Sequence, residues 1–169
     1  LFTSNNIRHN YLINLLSKIS NKLFVIQENR TSPMSKFQKH HTNSKIMNTY
    51  FKKVNDAQIK LFGNSSHENT KKNIKILPIQ TGDLNNHSLT FLSNYLESDI
   101  YVVFGTSYIK GELLDFLVKN NAYSIHMGIS PYYRGSDCNF WALYDGNPHL
   151  AGATIQLLSK GLDNGPILY

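Results

Sequence analysis

The sequence contains a single cysteine, Cys138, among its 169 residues, so no disulfide can form within the chain. It lacks any uninterrupted apolar stretch of 18 residues, and no basic segment followed by an apolar run suggests a leader peptide. Both absences argue against a secreted or membrane-spanning protein. We therefore expect a reducing cytoplasm as its compartment and no membrane partner.

Charged residues are also sparse, at 17% of the chain, although basic residues exceed acidic ones and give a formal net charge of +6. The lysines are scattered without a dense run, so the charge pattern does not support a nucleic-acid partner. A tRNA partner is possible but has no support from this pattern. Hydrophobic residues make up 41% of the chain, which is typical of a folded domain. We expect residues 1–169 to form one domain.

Several catalytic signatures are missing from the sequence. Residues 105–109 lack the last glycine of a nucleophile elbow, and no glycine-rich phosphate loop precedes a Lys-Ser or Lys-Thr pair. His40 and His41 are adjacent, and His67 has no histidine partner one helical turn away. The sequence therefore argues against a serine hydrolase, a nucleotidase and a metal site.

Short apolar runs alternate with segments of helical periodicity along the chain. This alternation predicts parallel strands joined by crossover helices, which is an α/β fold with an open, mostly parallel, Rossmann-like sheet and helices on both faces. We expect Ser4 or Asn5 to cap the first helix. The first strand starts at Leu1 and the chain stops within an apolar run, so we expect a domain cut short at both ends. The predicted strands are residues 1–3, 22–27, 74–79, 100–104, 122–126 and 152–158, and the predicted helices are residues 7–19, 46–62, 84–96 and 111–119.

Chemically active residues concentrate in the last third of the chain. His126 and Arg134 lie in one loop with a proline and several glycines, directly after a predicted strand. Asp163 lies in a second glycine-flanked turn, after the next predicted strand. A histidine and an aspartate at neighbouring strand ends are the usual parts of an acid/base pair, so we predict that these two side chains lie side by side.

These motifs resemble those of the formyltransferase family, which includes methionyl-tRNA, glycinamide ribonucleotide and sugar N-formyltransferases. The family pattern is Asn-x-His, then Ser/Leu-Pro-x-x-Arg/Lys-Gly, then Gly-x-Thr-Ile/Val, then Asp-x-Gly-x-Ile. The chain matches it, in this order, at His126 and at residues 130–135, 152–155 and 163–167. The resemblance is strongest over residues 120–169.

The resemblance implies a folate-dependent enzyme of one-carbon metabolism. It would transfer a formyl group from 10-formyltetrahydrofolate, as cosubstrate and without a metal, to a primary amine of an acceptor such as methionyl-tRNA or an amino-sugar nucleotide. His126 would hydrogen-bond the oxyanion or move a proton, and Asp163 would orient His126 and help remove the amine proton.

The resemblance also implies where the two substrates bind. The folate would contact a set of residues around the fourth strand and the acidic turn, and the acceptor would contact the loop after the first strand. Arg134 would bind substrate phosphate or tie its own loop to Asp137 or Asp145. The folate set is Phe104, Gly105, Thr106, Ile109 and Asp163, and the acceptor set is Ser4, Asn5, Asn6, Arg8 and His9 together with Arg134.

Ser124 is the departure from the family pattern, because the family has asparagine at this catalytic position. A serine hydroxyl reaches less far than an asparagine amide and offers no nitrogen donor. Loss of one oxyanion donor costs about 10²–10³-fold in rate. Two alternatives therefore stay open beside the transferase: a hydrolase that delivers the formyl group to water, and a catalytically weakened folate-binding domain.

Overall fold

A computed structural model describes residues 1–30, 44–63 and 72–169. These ranges contain six strands and five α-helices. His40, His41 and His67, which the sequence argued against as metal ligands, lie outside the described residues. In chain order the elements are β1 (Phe2–Ser4), α1 (Ile7–Ile19), β2 (Leu23–Asn29), α2 (Lys45–Phe62), β3 (Ile74–Gln80), α3 (Leu89–Leu96), β4 (Val102–Phe104), α4 (Gly111–Lys119), β5 (Tyr123–His126), α5 (Cys138–Tyr144) and β6 (Thr154–Leu157).

The six strands form one sheet in the order β3-β2-β1-β4-β5-β6. Strands β1 to β5 pair in parallel, whereas β6 runs antiparallel to β5. The chain crosses from β3 past β2 and β1 to β4, so the strand order reverses beside β1. Such a reversal opens a crevice at the carboxyl ends of the strands, where ligands bind in open α/β sheets. The predicted Rossmann-like, mostly parallel fold is confirmed.

Two hydrophobic clusters cover opposite faces of the sheet. One joins Phe2, Ile26 and Val103 to apolar side chains of α3 and α4, including Leu92 and Leu117. The other joins Leu1, Leu23 and Val25 to Ile13 of α1. Alternating strand residues face opposite sides of a sheet, which is why neighbours such as Val25 and Ile26 belong to different clusters. Helices therefore pack on both faces, as predicted.

The predicted helix over residues 84–96 is wrong in its first part. The chain forms a 3₁₀ turn at Leu84–Asn86, and α3 begins only at Leu89. The Ser88 hydroxyl accepts a hydrogen bond from the Phe91 amide and so caps α3. A cap residue needs extended backbone, and Ser88 has it, so the two segments cannot be one continuous helix.

The predicted caps of α1 are also wrong. Asn6 precedes the helix, and its side chain makes no capping hydrogen bond. The Ser4 hydroxyl instead forms a hydrogen bond with His9, and the side-chain oxygen of Asn5 accepts from the backbone amide of Arg30. Neither of these hydrogen bonds caps α1.

Helices long and apolar enough to cross a bilayer are absent from the described ranges. The same ranges bring no three side chains of histidine, cysteine, aspartate or glutamate together in a way that could hold a metal ion.

Candidate active site

A cavity of about 610 Å³ lies at the carboxyl ends of β1, β4 and β5. Its volume is in the range of small-molecule sites, and its lining mixes polar groups with apolar ones. Asn5 and Arg134 are not among the lining residues, and Arg134 is exposed on its loop. The other residues predicted from the sequence all line the cavity, namely Ser4, Asn6, Arg8, His9, Phe104, Gly105, Thr106, Ile109, Ser124, His126 and Asp163.

His126 and Asp163 meet in this cavity. The distance from His126 Nδ1 to Asp163 Oδ2 is 3.3 Å, and the histidine side chain is only 5% exposed. On the other side of the ring, Nε2 lies 2.9 Å from the Tyr133 carbonyl oxygen. A carbonyl can only accept, so this contact is a hydrogen bond in the tautomer that carries its proton on Nε2.

Asp163 reaches His126 by a different route from the one the sequence suggested. Because β6 is antiparallel, its carboxyl end lies at the opposite edge of the sheet from that of β5. Residues 158–165 fold back toward the cavity, and the Asp163 carboxylate accepts a hydrogen bond from the Gly135 amide at 2.9 Å. A Cβ on Gly165 would lie 1.8 Å from the Leu157 carbonyl oxygen, so only glycine permits this return.

Ser124 lies two residues before His126 on β5, and both residues are buried. Side chains two residues apart on a strand lie on the same face, so Ser124 lines the same cavity wall as His126. Directly opposite Ser124, on β6, stands Gln156. Gln156 is 2% exposed, and its side-chain oxygen, Oε1, has no hydrogen-bond partner among the described residues.

Glu28 holds the loop that forms the predicted folate wall. This residue, at the end of β2, is 1% exposed. Its carboxylate accepts from the Ser107 amide at 2.5 Å, from the Ser107 hydroxyl at 2.7 Å and from the Gly82 amide at 2.8 Å. One buried carboxylate thus ties the turns after β3 and β4 to the end of β2.

Ser4, Arg8 and His9 form a polar group where β1 meets α1. The His9 ring is 1% exposed, and its Nδ1 lies 2.5 Å from the Ser4 hydroxyl oxygen. Arg8 Nε donates to His9 Nε2 at 3.4 Å. Burial, followed by the positive charges of Arg8 and Arg30, lowers the pKa of His9 to about 3, so this histidine is neutral at physiological pH.

Cys138 is a buried free thiol beside His126. It is 2% exposed and lies 3.7 Å from His126 Nε2, and its sulfur donates to the Gly135 carbonyl. Burial is the main cause that raises its pKa, so the nucleophilic thiolate is disfavoured.

Known proteins with related sequences and folds are formyltransferases. No family model matches the chain. Over 73 residues the chain is 34% identical to the methionyl-tRNA formyltransferase of Thermosynechococcus vestitus, a match that spans 43% of this chain and 22% of that protein. The phosphoribosylglycinamide formyltransferase of Anaplasma phagocytophilum superposes with a TM-score of 0.57 at 18% identity, covering 98% of this chain and 66% of that one. The fold is that of the formyltransferases.

A sugar N-formyltransferase from a Shewanella strain has the same fold, with a TM-score of 0.50 at 19% identity over 99% of this chain and 54% of that one. The resemblance to formyltransferases that the motifs indicated is confirmed. The matched stretch of the methionyl-tRNA formyltransferase is about a fifth of its length, so the activity of that whole protein does not transfer directly to this chain.

Glu28 and Arg30, at and just after the end of β2, were not among the residues predicted from the sequence. Glu28 had a usable signal, since it is a carboxylate at the end of the apolar run Leu-Phe-Val-Ile, where a sheet edge meets loops. Arg30 lines the cavity but belongs to no motif. Only the strand order, which places β2 beside β1, brings it there.

Proposed function

We propose that this chain transfers a formyl group from 10-formyltetrahydrofolate to a primary amine. The observation that carries the proposal is the contact between His126 and Asp163, 3.3 Å apart in a cavity that Ser124 also lines. The confirmed fold and the match to a methionyl-tRNA formyltransferase support it. The acceptor is either a methionyl-tRNA or an amino-sugar nucleotide type of amine, and the expected cytoplasmic location stays a prediction.

The reaction exchanges one C–N bond for another. The amine nitrogen attacks the formyl carbon, and the formyl oxygen gains negative charge. The bond from that carbon to the folate nitrogen then breaks, the folate nitrogen takes up a proton, and the attacking nitrogen loses one. The products are tetrahydrofolate and the N-formylated acceptor, so no oxidant, reductant or metal is required.

His126 and Asp163 supply the proton chemistry in this proposal. A formyl oxygen near the ring would compete with the Tyr133 carbonyl for the Nε2 proton, and donation to it would stabilise the developing charge. The Asp163 carboxylate holds Nδ1 and is itself fixed by the Gly135 amide, so the ring keeps its orientation during the reaction. Asp163 also lines the cavity, where it can accept a proton from the attacking amine.

The folate fits the wall made by the loop after β4. Phe104 and Ile109 are apolar surfaces beside the backbone of Gly105 and Thr106, and all four line the cavity. A flat ring binds well against such a surface, while backbone groups fix its orientation. The Glu28 carboxylate holds this loop in place by accepting two hydrogen bonds from Ser107.

Ser124 favours a second candidate, a folate-binding domain with weak catalysis. The serine lacks the amide donor that the family pattern has at this position. In that case the cavity would bind the folate normally and turn over slowly.

Product analysis tests the proposal. The protein is incubated with 10-formyltetrahydrofolate and a panel of primary amines, including methionyl-tRNA and amino-sugar nucleotides, and both formylated amine and free formate are measured. We expect formylated amine and tetrahydrofolate in equal amounts, and about 10²–10⁴-fold less in Asp163→Asn. Formate without formylated amine would instead show a hydrolase, and folate binding without either product would show a binding domain.

A further inference from the structure

His9 is the buried titratable residue that the formyl-transfer chemistry does not use. We propose that His9 is a positioning residue, which fixes the hydroxyl of Ser4 and the guanidinium of Arg8 as two donors for a negatively charged oxygen group of the acceptor. The proposal rests on the proposed function only in naming the acceptor as the ligand. It stands on the contacts among these three side chains and on their position in the cavity wall.

The tautomer of His9 follows from its two neighbours. An arginine side chain can only donate, so the contact from Arg8 Nε at 3.4 Å requires a lone pair on His9 Nε2. The proton of the neutral ring must then be on Nδ1, which lies 2.5 Å from the Ser4 hydroxyl. His9 therefore donates to Ser4 and accepts from Arg8.

This arrangement directs the Ser4 hydroxyl proton away from His9. Because Ser4 Oγ accepts from the ring, its own O–H must be donated elsewhere, and Ser4 lines the cavity. Arg8 also lines the cavity and uses only Nε for His9. Since Ser4 and Arg8 both line the cavity, one ligand bound there can accept from the Ser4 hydroxyl and from the terminal N–H groups of Arg8.

Charge at this end of the cavity favours an anionic ligand. Arg8 and Arg30 both line the cavity, and both act on His9 strongly enough to contribute to its lowered pKa. Asp137 is the carboxylate that acts on Arg8. Guanidinium N–H groups and a hydroxyl are donors that suit an anionic oxygen group, so this end of the cavity fits such a group.

The surroundings of His9 keep the ring from turning. Its face meets the edge of Phe104 with ring centroids 4.5 Å apart, and a Cβ on Gly105 would lie 2.4 Å from Nε2. The ring is thus held by packing as well as by hydrogen bonds, so exchange of its two nitrogens is blocked.

Nitrogen-15 NMR of histidine-labelled protein tests the tautomer without reference to any activity. We expect the His9 signals of a neutral ring protonated at Nδ1, and a shift of these signals when inorganic phosphate is added. A neutral ring protonated at Nε2, or a cationic ring at pH 7, would overturn the proposal. This measurement uses the unmodified protein, so it is unaffected if the formyl-transfer proposal fails.

Two substitutions separate the contacts of His9. His9→Asn places its amide nitrogen near Nδ1 and keeps the donor to Ser4, whereas His9→Gln places its amide near Nε2 and keeps the acceptor for Arg8. We expect either change to weaken phosphate binding about tenfold, because each loses one fixed donor to an anion. Adding Ser4→Ala to His9→Asn should weaken phosphate binding further, because that variant still orients the Ser4 hydroxyl. Adding Ser4→Ala to His9→Gln should change phosphate binding little, because the hydroxyl has already lost its donor there.

Folate binding is the internal control. Each variant should lose more affinity for phosphate than for 5-formyltetrahydrofolate, because His9 touches the folate wall only by packing against Phe104 and Gly105. Equal loss of folate and phosphate binding would indicate a merely structural His9 and would overturn the positioning role. Equal effects of Ser4→Ala in both His9 backgrounds would overturn it too.

Discussion

Serine is smaller than asparagine and differs greatly from it in what it can donate. The hydroxyl supplies one donor close to the backbone, whereas a carboxamide supplies two donors about one bond further out. Ser124 lies two residues before His126 on the same face of β5, so in the proposed reaction that difference would fall on the formyl oxygen.

We therefore predict that Ser124→Asn raises kcat by roughly 10²-fold and changes folate affinity little, since the restored donor acts mainly on charge present in the transition state. Steady-state kinetics together with equilibrium folate binding measure the two quantities separately. Ser124→Ala is the matched control: a lower kcat in the alanine variant means that the serine hydroxyl participates. An unchanged kcat in Ser124→Asn would contradict the prediction.

The place of a residue in the cavity could be predicted where a motif or a strand end marked it, whereas its chemical role stays a prediction. His126 and Asp163 were found because each belongs to an ordered pattern. Gln156 was not found, because its position opposite Ser124 depends on the register of two strands, which periodicity does not encode.

Among the elements, the β4 loop depends on one glycine. Gly105 has φ of 66° and approaches His9 so closely that an added Cβ would lie 2.4 Å from Nε2. Gly146 has a similar positive φ of 76°, yet its Cβ would meet nothing within 4 Å. An alanine at either position therefore has the same cost of a left-handed backbone, but only an alanine at Gly105 would also clash with a neighbouring side chain.

We predict that Gly105→Ala destabilises the protein by at least about 1 kcal/mol more than Gly146→Ala, because both pay the backbone cost and only the first displaces His9. Urea unfolding of the two variants measures the difference. Equal destabilisation would mean that the loop moves away from His9 at no cost.

Glu28 also fixes how neighbouring elements are arranged, because its carboxylate joins the end of β2 to the turns after β3 and β4. Glu28→Gln replaces one acceptor oxygen with a donor that faces the donors of Ser107 or Gly82. We expect a loss of about 2 kcal/mol or more in the free energy of unfolding, together with weaker folate binding. Glu97→Gln, at the exposed end of α3, should stay within about 0.5 kcal/mol of the unchanged protein. A Glu28→Gln variant as stable as this control would contradict the role.

Most helix and strand positions were predictable from the sequence. The bounds predicted for α1 and α4 agree with the structure, because helical periodicity is a local property. The direction of β6 could not be predicted, since a run of apolar residues reads alike for parallel and antiparallel strands. The predicted nearness of Asp163 to His126 is confirmed, but the fold-back of residues 158–165 produces it.

For the whole molecule, His9 links stability to pH. Its pKa is about 3 in the folded protein and about 6.5 in an unfolded chain, so between these values the unfolded chain binds the extra proton. Stability should thus be unaffected by His9 above pH 6.5 and should fall as the pH drops from 6.5 toward 3. The slope from this one group is at most about 1.4 kcal/mol per pH unit.

Chemical denaturation at pH 7, 6, 5 and 4 measures this dependence. We predict that His9→Asn has a shallower loss of stability below pH 6.5 than the unchanged protein, because its side chain takes up no proton. His149→Asn, at an exposed histidine, is the matched control for the substitution itself. Identical pH profiles for the unchanged protein and His9→Asn would contradict the prediction.

The fold-back of residues 158–165 also has a consequence for the order in which the protein is made. A ribosome releases the chain from its amino end, so all five parallel strands and His126 emerge before Asp163 does. A nascent chain could therefore complete its parallel sheet while its histidine still lacks the carboxylate. Of the pair, the carboxylate is therefore synthesised last, and the contact between His126 and Asp163 can form only after all five parallel strands have been made.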